Sequence, residues 1–237
     1  MIAGLFIAPL FLRKEFYLAS FNTLEIAGWK PAIHGMRHPL KSHHKSDSYF
    51  DPDLDDFIVG ENDLDLMRRL CQAAEKENNP AHSKFLRMIQ VWVDVKLPRY
   101  VWSEWDTYKI GTVANSESTM HRLMKDGISR EDLDYEWGFD KWLDDEMIGT
   151  IGIINTIIDI YNKEDLTQEE KEKYFIAAKA FLPECYMQRR TVNLNYQVLR
   201  NMYNQRKNHR LPQWHKDFIE WIKSLPLGKE LIMNQWD

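Results

Sequence analysis

The sequence predicts an α+β fold, helix-rich with a small antiparallel or mixed sheet, and three observations carry that prediction. Apolar residues recur at helical spacing through most of the segments in the second half of the chain. One run, "MIQVWVDVKLP", has a period of two instead: Ile89, Val91, Val93 and Val95 alternate with Gln90, Trp92, Asp94 and Lys96. That is the pattern of a half-buried strand. The apolar opening "MIAGLFIAPLFL" suits a further buried strand, or an extension before the domain proper.

The opening run is not read as a signal peptide or a membrane span. Arg13 and Lys14 follow its apolar part instead of preceding it, and no small-residue cleavage site comes after it. It also falls short of the ~20 residues that a membrane helix requires. The stretch from His34, "HGMRHPLKSHHKSDSYFDPDLDDF", is polar and punctuated by Pro39 and Pro52, so a long ordered loop is expected. Loops of that length are often functional. "GENDLDLMRRLCQAAEKEN" then reads as an amphipathic helix, capped by Asn62 or Asp63, with Leu66, Leu70 and Ala73 or Ala74 on one face.

Pro98 ends the alternating strand and opens "PRYVWSEWDTYK", where Val101 or Trp102, Trp105 and Tyr108 recur at helical spacing. A helix from about Phe139 to Asn162 should bury Ile151, Ile154, Ile158 and Tyr161. "LTQEEKEKYFIAAKAFLP" places Thr167 and Glu170 in capping-box spacing. "ECYMQRRTVNLNYQVLRNMYNQRKNH" is expected to be one long helix, and "PQWHKDFIEWIKSLP" a last amphipathic one with Trp214, Phe218 and Ile219 or Trp221 on its inner face. The few strands are expected toward the N-terminal half. The whole chain, 1–237, reads as a single nucleotide-binding domain with 131–163 as a looser insert.

Composition narrows the function. Hydrophobic content of 44% with 13% aromatics is that of a globular chain, and 237 residues suffice for a sizeable core. A net charge of −5 argues against a nucleic-acid polymer as partner. Two cysteines, Cys71 and Cys185, sit in helix-like segments and read as buried thiols in a reducing compartment, so a cytoplasmic protein is expected. His34, His38, His43 and His44 crowd one loop, but there is no CxxC and no HExxH, so a solvated loop is preferred to a metal site. Arg37, Lys41 and Lys45 make that loop suited to a phosphate. No GxSxG, P-loop or GxGxxG is present, and with 10 glycines a nucleotide would have to be held by side chains and helix termini.

Two segments carry the remaining chemistry. "TYKIGTVANSESTMHRL" offers hydroxyls, an amide and cations, although Ser116, Ser118 and Thr119 serve equally as a helix cap. In "QRRTVNLNYQVLRNMYNQRKNHR", Asn193, Gln197 and Asn201 follow i, i+4, i+8 and would form one amide stripe, flanked by arginines that include Arg189, Arg190, Arg200, Arg206 and Arg210. Those arginines otherwise read as a solvated face. Amides beside guanidiniums suit a neutral polar base with an anionic tail.

Taken in order, "DLDLMRRLCQAAEK … AHSKFLRMIQVWVDV", "PRYVWSEWDTYKIGTVANSESTMHRL" and "FLPECYMQRRTVNLNYQVLRNMYNQRKNHRLPQWHKDF" resemble the flavin-dependent thymidylate synthases, over roughly Asn62 to Trp214. Together with "GMRHPLKSHHKSDS", they also resemble a set of phage and Gram-positive bacterial proteins that carry the same divergent signature. The resemblance implies that family's fold, FAD as cofactor, reduced nicotinamide (NADPH) and methylene-tetrahydrofolate as co-substrates, a pyrimidine nucleotide as substrate, and a homotetramer. Arg99 matches the arginine that opens the family's helix, while Thr107, Tyr108 and Lys109 stand where its signature has Arg, His, Arg. Thr112, Asn115 and Ser118 match its Ser, Asn, Ser with one residue inserted at Ala114. Met120 replaces the next arginine, with Arg122 two residues on.

By this resemblance Arg99, Lys109, Thr112, Asn115, Ser118, Arg122, Arg190 and Arg206 are the nucleotide and phosphate candidates, and His82, Ser83, Tyr108 and Asn201 the cofactor candidates. Asn195 matches a family asparagine, whereas Gln197 stands where the uracil-facing arginine belongs; these two are the catalytic candidates. Glutamine can bond a base edge but supplies no charge to polarise it, which counts against ordinary dUMP methylation. Two further readings stand beside the enzyme: a non-catalytic protein that sequesters or senses a nucleotide, and a purely structural oligomer.

Overall fold

The computed structural model describes residues 19–119 and 122–236. The apolar opening run and Met120 lie outside them. The first element is β1 (Ser20–Ala27), followed by α1 (Trp29–Arg37), a hairpin of β2 (Tyr49–Asp51) and β3 (Asp56–Ile58), and α2 (Glu61–Lys76). Then come β4 (Gln90–Pro98), α3 (Arg99–Trp105), β5 (Val113–Ser116), α4 (Arg122–Asp126), α5 (Lys141–Tyr161) and α6 (Gln168–Phe181). The chain closes through β6 (Met187–Asn195), α7 (Tyr196–Arg206), a π-helical turn Gln213–Phe218 and α8 (Ile219–Ser224).

Four strands form one antiparallel sheet in the order β1-β4-β6-β5. The alternation predicted for β4 holds: Val91, Val93, Val95 and Leu97 are fully buried. They meet Val192 and Leu194 of β6 and Phe21 of β1 on the face that packs against the helices. The other face presents Trp92, Asp94, Lys96 and Asn193, all half-buried. Aromatic rings fill the space under the sheet. Trp105 stacks on Trp214 with centroids 5.5 Å apart, and Phe21 stacks on Trp221 at 5.1 Å.

One helix expected from the sequence is overturned. Residues 187–195 are strand β6, paired along its whole length with β4, and only from Tyr196 does the chain turn helical. The period of two was hidden because Gln188 and Arg190, on the core side of β6, are polar, which leaves Val192 and Leu194 as its only buried aliphatic pair. The amide stripe of three therefore does not exist. Asn193 lies in the strand, its amide donating to the Val91 carbonyl at 3.3 Å. Among the described residues only β6 lies in the C-terminal half; the other strands fall in the N-terminal half, as expected.

The helix α2 differs in its cap and its face. Gly60 occupies the cap position, and the carboxylate of Asp47, from the preceding loop, accepts from the N–H groups of Asn62 (3.0 Å) and Asp63 (3.3 Å). Met67 and Cys71 are buried, while Leu66 and Leu70 pack at the margin. The expected long loop begins as helix, since α1 runs to Arg37, and it contains the β2–β3 hairpin. Other expectations hold: the Thr167–Glu170 capping box forms, and Ile154 and Ile158 are buried. These two join Leu123, Leu133 and Leu182 in a second hydrophobic cluster. Tyr100, Asp134 and Gln213 tie the two clusters together by hydrogen bonds, with Gln213 Nε2 donating to the Tyr100 hydroxyl at 2.7 Å.

The histidine-rich segment is anchored by a buried ion pair. Asp63, with no exposure, accepts from Arg37 Nε at 2.5 Å and from the hydroxyls of Ser46 and Ser48 at 2.7 Å each. Burial pushes the Asp63 carboxyl up, but the bonds from Ser48, Ser46 and Arg37, with the Arg37 charge, outweigh it and hold it below its ordinary value. Because the folded value is depressed, its stabilisation is fully present above the ordinary value of about 4 and lost as pH falls through the lowered one. Removing one partner of a buried pair costs about 3–5 kcal/mol. Asp63→Asn should therefore lower the unfolding free energy by about that much in urea titrations at neutral pH. The difference from the parent should shrink in acid, and an unchanged midpoint would refute this role.

Candidate functional site

The β4–β6 pairing brings distant residues to one place. Gln90 at the start of β4 faces Asn195 at the end of β6, and the Tyr196 N–H donates to the Ile89 carbonyl at 3.1 Å. The first turn of α7 is thus held against the segment that leads into β4, a 3-10 turn at Lys84–Arg87. Ser83 lies just before that turn, 2% exposed, with its hydroxyl 3.4 Å from both the Pro80 carbonyl and Gln197 Oε1. Gln197 Nε2 donates to Asn201 Oδ1 at 3.1 Å. Ser83, Gln197 and Asn201 line a cleft of about 310 Å³, together with Glu75, Asn78 and Arg200. The Asn201 amide NH₂ and the second Gln197 N–H remain as donors, and the amide oxygens as acceptors.

Arg200 was missed by the sequence reading, which placed it on a solvated face. It is 5% exposed, one turn after the fully buried Tyr196 and beside the fully buried Leu199. That helical stripe, Tyr196, Leu199, Arg200, Tyr203, was the available signal. Its Nη1 reaches the Leu231 carbonyl at 3.4 Å. Nη2 lies 3.2 Å from Glu75 Oε1 without a well-aligned hydrogen bond, so a buried donor paired with a carboxylate stands at the cleft. Cys71 is fully buried close by, and burial pushes its thiol up against the opposing influence of Arg200. Burial also raises Cys185, to about 11. Neither thiol is poised as a nucleophile.

The other candidates are distributed around α3 and the sheet edge. Arg206 donates to the Tyr108 hydroxyl (2.8 Å) and to Glu104 Oε2 (3.0 Å), with its guanidinium 5.0 Å from the Trp214 ring centroid. Arg190 pairs with Asp106 at 2.7 Å and lies 4.1 Å over the Trp102 ring. Arg99 bonds the Leu182 carbonyl at 3.0 Å and pairs with Glu184. It lowers the pKa of Lys179, second to burial; that lysine donates to the Thr119 hydroxyl at 2.5 Å. Arg122 pairs with Glu117 and Asp126, and His82 with Glu77.

Thr112 donates to the Tyr108 carbonyl at 2.6 Å, Asn115 is exposed on β5 opposite Thr191, and the Ser118 carbonyl accepts from the Arg122 N–H. Lys109 is exposed in the turn before Gly111. Gly111 has a φ of 78°, and a Cβ there would come within 3.3 Å of the Asn195 amide, so this turn lies on the start of α7. Among the described residues, then, the cleft unites Ser83, Gln197 and Asn201, whereas the candidate arginines Arg99, Arg122, Arg190 and Arg206 are each paired with carboxylates.

A scan against protein-family models gives no match, and a search of curated proteins gives none. Solved structures do match. One is Thymidylate Synthase X (ThyX) from Helicobacter pylori with FAD and dUMP, with a TM-score of 0.64 at 16% identity over 91% of this chain and 98% of that one. A second structure is described as the flavin-dependent thymidylate synthase ThyX from the same organism complexed with FAD and dUMP. It has a TM-score of 0.65 at 16% identity, over 92% of this chain and 100% of that one. The fold is that of ThyX. The ThyX-like backbone accounts for the α+β class expected from the sequence, with its helices and small antiparallel sheets.

Asn195 has an observed local task on this ThyX-like frame: its side chain accepts from the Val198 N–H at 3.1 Å and caps α7. Asn195→Ala should cost about 1 kcal/mol of stability, as lost caps do. Asn195→Asp, which caps equally well, should restore the thermal midpoint. If both variants match the parent, the cap contributes nothing.

Proposed function

We propose that this chain is a flavin-dependent thymidylate synthase-like protein that acts on a pyrimidine deoxynucleotide, transferring a one-carbon unit. The observation that carries this reading is the Ser83–Gln197–Asn201 chain of polar side chains beside the buried Arg200 donor, on a fold shared with a protein crystallised with FAD and dUMP. Uracil alternates carbonyl, N–H and carbonyl along one edge and cytosine presents a donor beside two acceptors, and paired amides, each with a donor and an acceptor, complement either without a charge. The anionic tail would be taken by cations outside the cleft, for which exposed Lys109 and the Arg99–Lys179 pair are the candidates. Nucleic-acid polymers are not the expected partner at a net charge of −5. No helix among the described residues is long and apolar enough to cross a membrane.

The donor set of the cleft fits one end of FAD. The pyrimidine end of its ring carries the same alternation of N–H and carbonyl groups, so Ser83, Gln197 and Asn201 suit that ring edge. At about 310 Å³ the cleft is at the small end of ligand pockets, and Glu75 lines it, so a dinucleotide's diphosphate would lie beyond it. Bound flavin would supply hydride, NADPH would be the reductant and methylene-tetrahydrofolate the carbon source. The residues of this chain bind and orient the base. Gln197 cannot polarise it as a guanidinium would, a deficit in electrostatic stabilisation at the reacting ring.

That deficit supports a second reading, a non-catalytic protein that sequesters or senses the nucleotide. Visible flavin absorbance in the purified protein favours the enzyme, and a colourless protein that binds dUMP favours the sensor. Gln197→Ala should weaken dUMP binding in calorimetry by up to about tenfold, the worth of one lost neutral bond. Tritium release from 5-labelled dUMP, with flavin, NADPH and methylene-tetrahydrofolate, should be weak. Robust turnover would show that Gln197 is no handicap.

We also infer a homo-oligomer, with a tetramer as the expected form. The abundance of tryptophan is not the support, because five of the nine (Trp29, Trp102, Trp105, Trp214 and Trp221) pack in the core. The support is the apolar surface left open: Trp142 is 67% exposed on α5, where Ile148 and Ile153 are also exposed, and Ile110 is 93% exposed beside the β5 edge. Light scattering should give a mass well above the 28.3 kDa of one chain at micromolar concentration, and a monomer would end this inference.

A further inference from the structure

We propose that His34, His38 and His43 form a binding site for a divalent ion of the zinc, cobalt and nickel class, with one coordination position open. His34 lies in α1 and His38, one turn on, is its C-cap residue with helical φ and ψ, so their rings share a face of the helix. Pro39 cannot continue the helix, and the chain reverses through Lys41, whose φ is 46°, into a 3-10 turn at His43–Lys45. That reversal returns the third imidazole to the first two. The ring centroids stand 4.4–4.8 Å apart in all three pairings, and one nitrogen from each ring lies within 4.8 Å of the others.

Zinc–imidazole bonds of about 2.0–2.1 Å place tetrahedral ligand nitrogens roughly 3.3 Å apart. Small rotations of His34 and His38, both exposed, close the difference. A second observation points the same way. The Nε2 of His43 is shielded from solvent and has no hydrogen-bond partner, a cost that an ion at this position would remove. The donor set is all imidazole, which selects zinc, cobalt, nickel or copper and discriminates against calcium and magnesium, which need oxygen ligands.

The backbone that carries these rings is fixed. Arg37, the last residue of α1 and the neighbour of His38, donates to the Ser42 carbonyl at 3.2 Å and to Asp63. Ser46 bonds Asp63 on the far side of His43. One buried carboxylate therefore holds both segments in register, as a ligand set requires. A cleft of about 300 Å³ adjoins His34 and His43, with Lys30, Tyr49 and Phe50 on its walls. It leaves the fourth position to water or a small anion, and Lys30 favours the anion.

The sequence lacks a known ligand spacing because the third donor comes from a different element than the helical pair. The test is titration of the full chain, freed of metal by chelator and dialysis, with Co²⁺ alone. The expected result is one equivalent bound, with the intense visible bands of low-coordinate cobalt, and displacement by Zn²⁺. His38→Ala and the double variant His34→Ala/His38→Ala should weaken binding at least about tenfold while keeping the parent's circular dichroism, since both rings are exposed. His215→Ala, on a separate helical segment, should bind as the parent does. Absence of saturable binding, more than one weak equivalent without visible bands, or a folded double variant that binds as tightly as the parent would each overturn the proposal.

Discussion

The antiparallel register between β4 and β6 is the constraint on which the rest of this architecture depends. It runs from Gln90 opposite Asn195 to Pro98 opposite Met187, without a break. One face of the pair supplies the fully buried valines and leucines over which the aromatic helices close. Its end fixes chemistry as well as packing: the chain enters β4 from Ser83 and leaves β6 into Gln197, so residues 114 apart in sequence meet across 3.4 Å. A slip of one residue would turn Val192 and Leu194 outward and separate the serine from the amides. The cleft therefore inherits its geometry from the most buried strands in the protein.

Charge is arranged around that cleft in an unusual way. Guanidiniums are plentiful near α3 and the sheet, but Arg190 and Arg206 are paired with Asp106 and Glu104 and lie over Trp102 and Trp214. Such partly buried, stacked pairs lose much of their attraction for a further anion, because the carboxylate already neutralises them. The uncommitted polar capacity sits elsewhere, in the amides of Gln197 and Asn201, since Arg200 Nη2 too has a carboxylate, Glu75, at 3.2 Å. A neutral ring is the better match to such a surface than a phosphate. Glutamine at position 197, where the resemblance would place an arginine, and the internal pairing of Arg190 and Arg206 both leave a site with little free positive charge.

How much of this was legible in the sequence depends on where each residue's partners lie. The β4 alternation, the Thr167 capping box and the buried isoleucines of α5 are set by neighbours a few residues away, and local pattern revealed them. Strand β6 was not legible, because its core-facing Gln188 and Arg190 find partners on β5's following loop and on α3, which no local window contains. Ser83, Gln197 and Asn201 were recognisable by residue type and by resemblance, although the helix invoked to align them began twelve residues too early, at Glu184 instead of Tyr196. Arg200 carried a legible sign, its place in an apolar stripe, that the count of arginines obscured. The histidine group was seen as composition and discounted for its spacing. What assembles it is a reversal at Lys41 and a carboxylate 20 residues beyond His43.

That carboxylate joins two regions that the sequence keeps apart. Asp63 lies in the first turn of α2 and Glu75 in its last, about 18 Å along a helix whose middle, at Met67 and Cys71, is fully buried. The first end gathers Arg37, Ser46 and Ser48 and so orders the histidine segment. The last end lines the amide cleft and stands 3.2 Å from Arg200. Both arginines are buried, so each depends on a carboxylate of this one helix to offset its desolvation. The helix cannot shift to suit one arginine without disturbing the other. Its apolar middle, Met67 with Cys71, is what holds the two acids at a fixed separation.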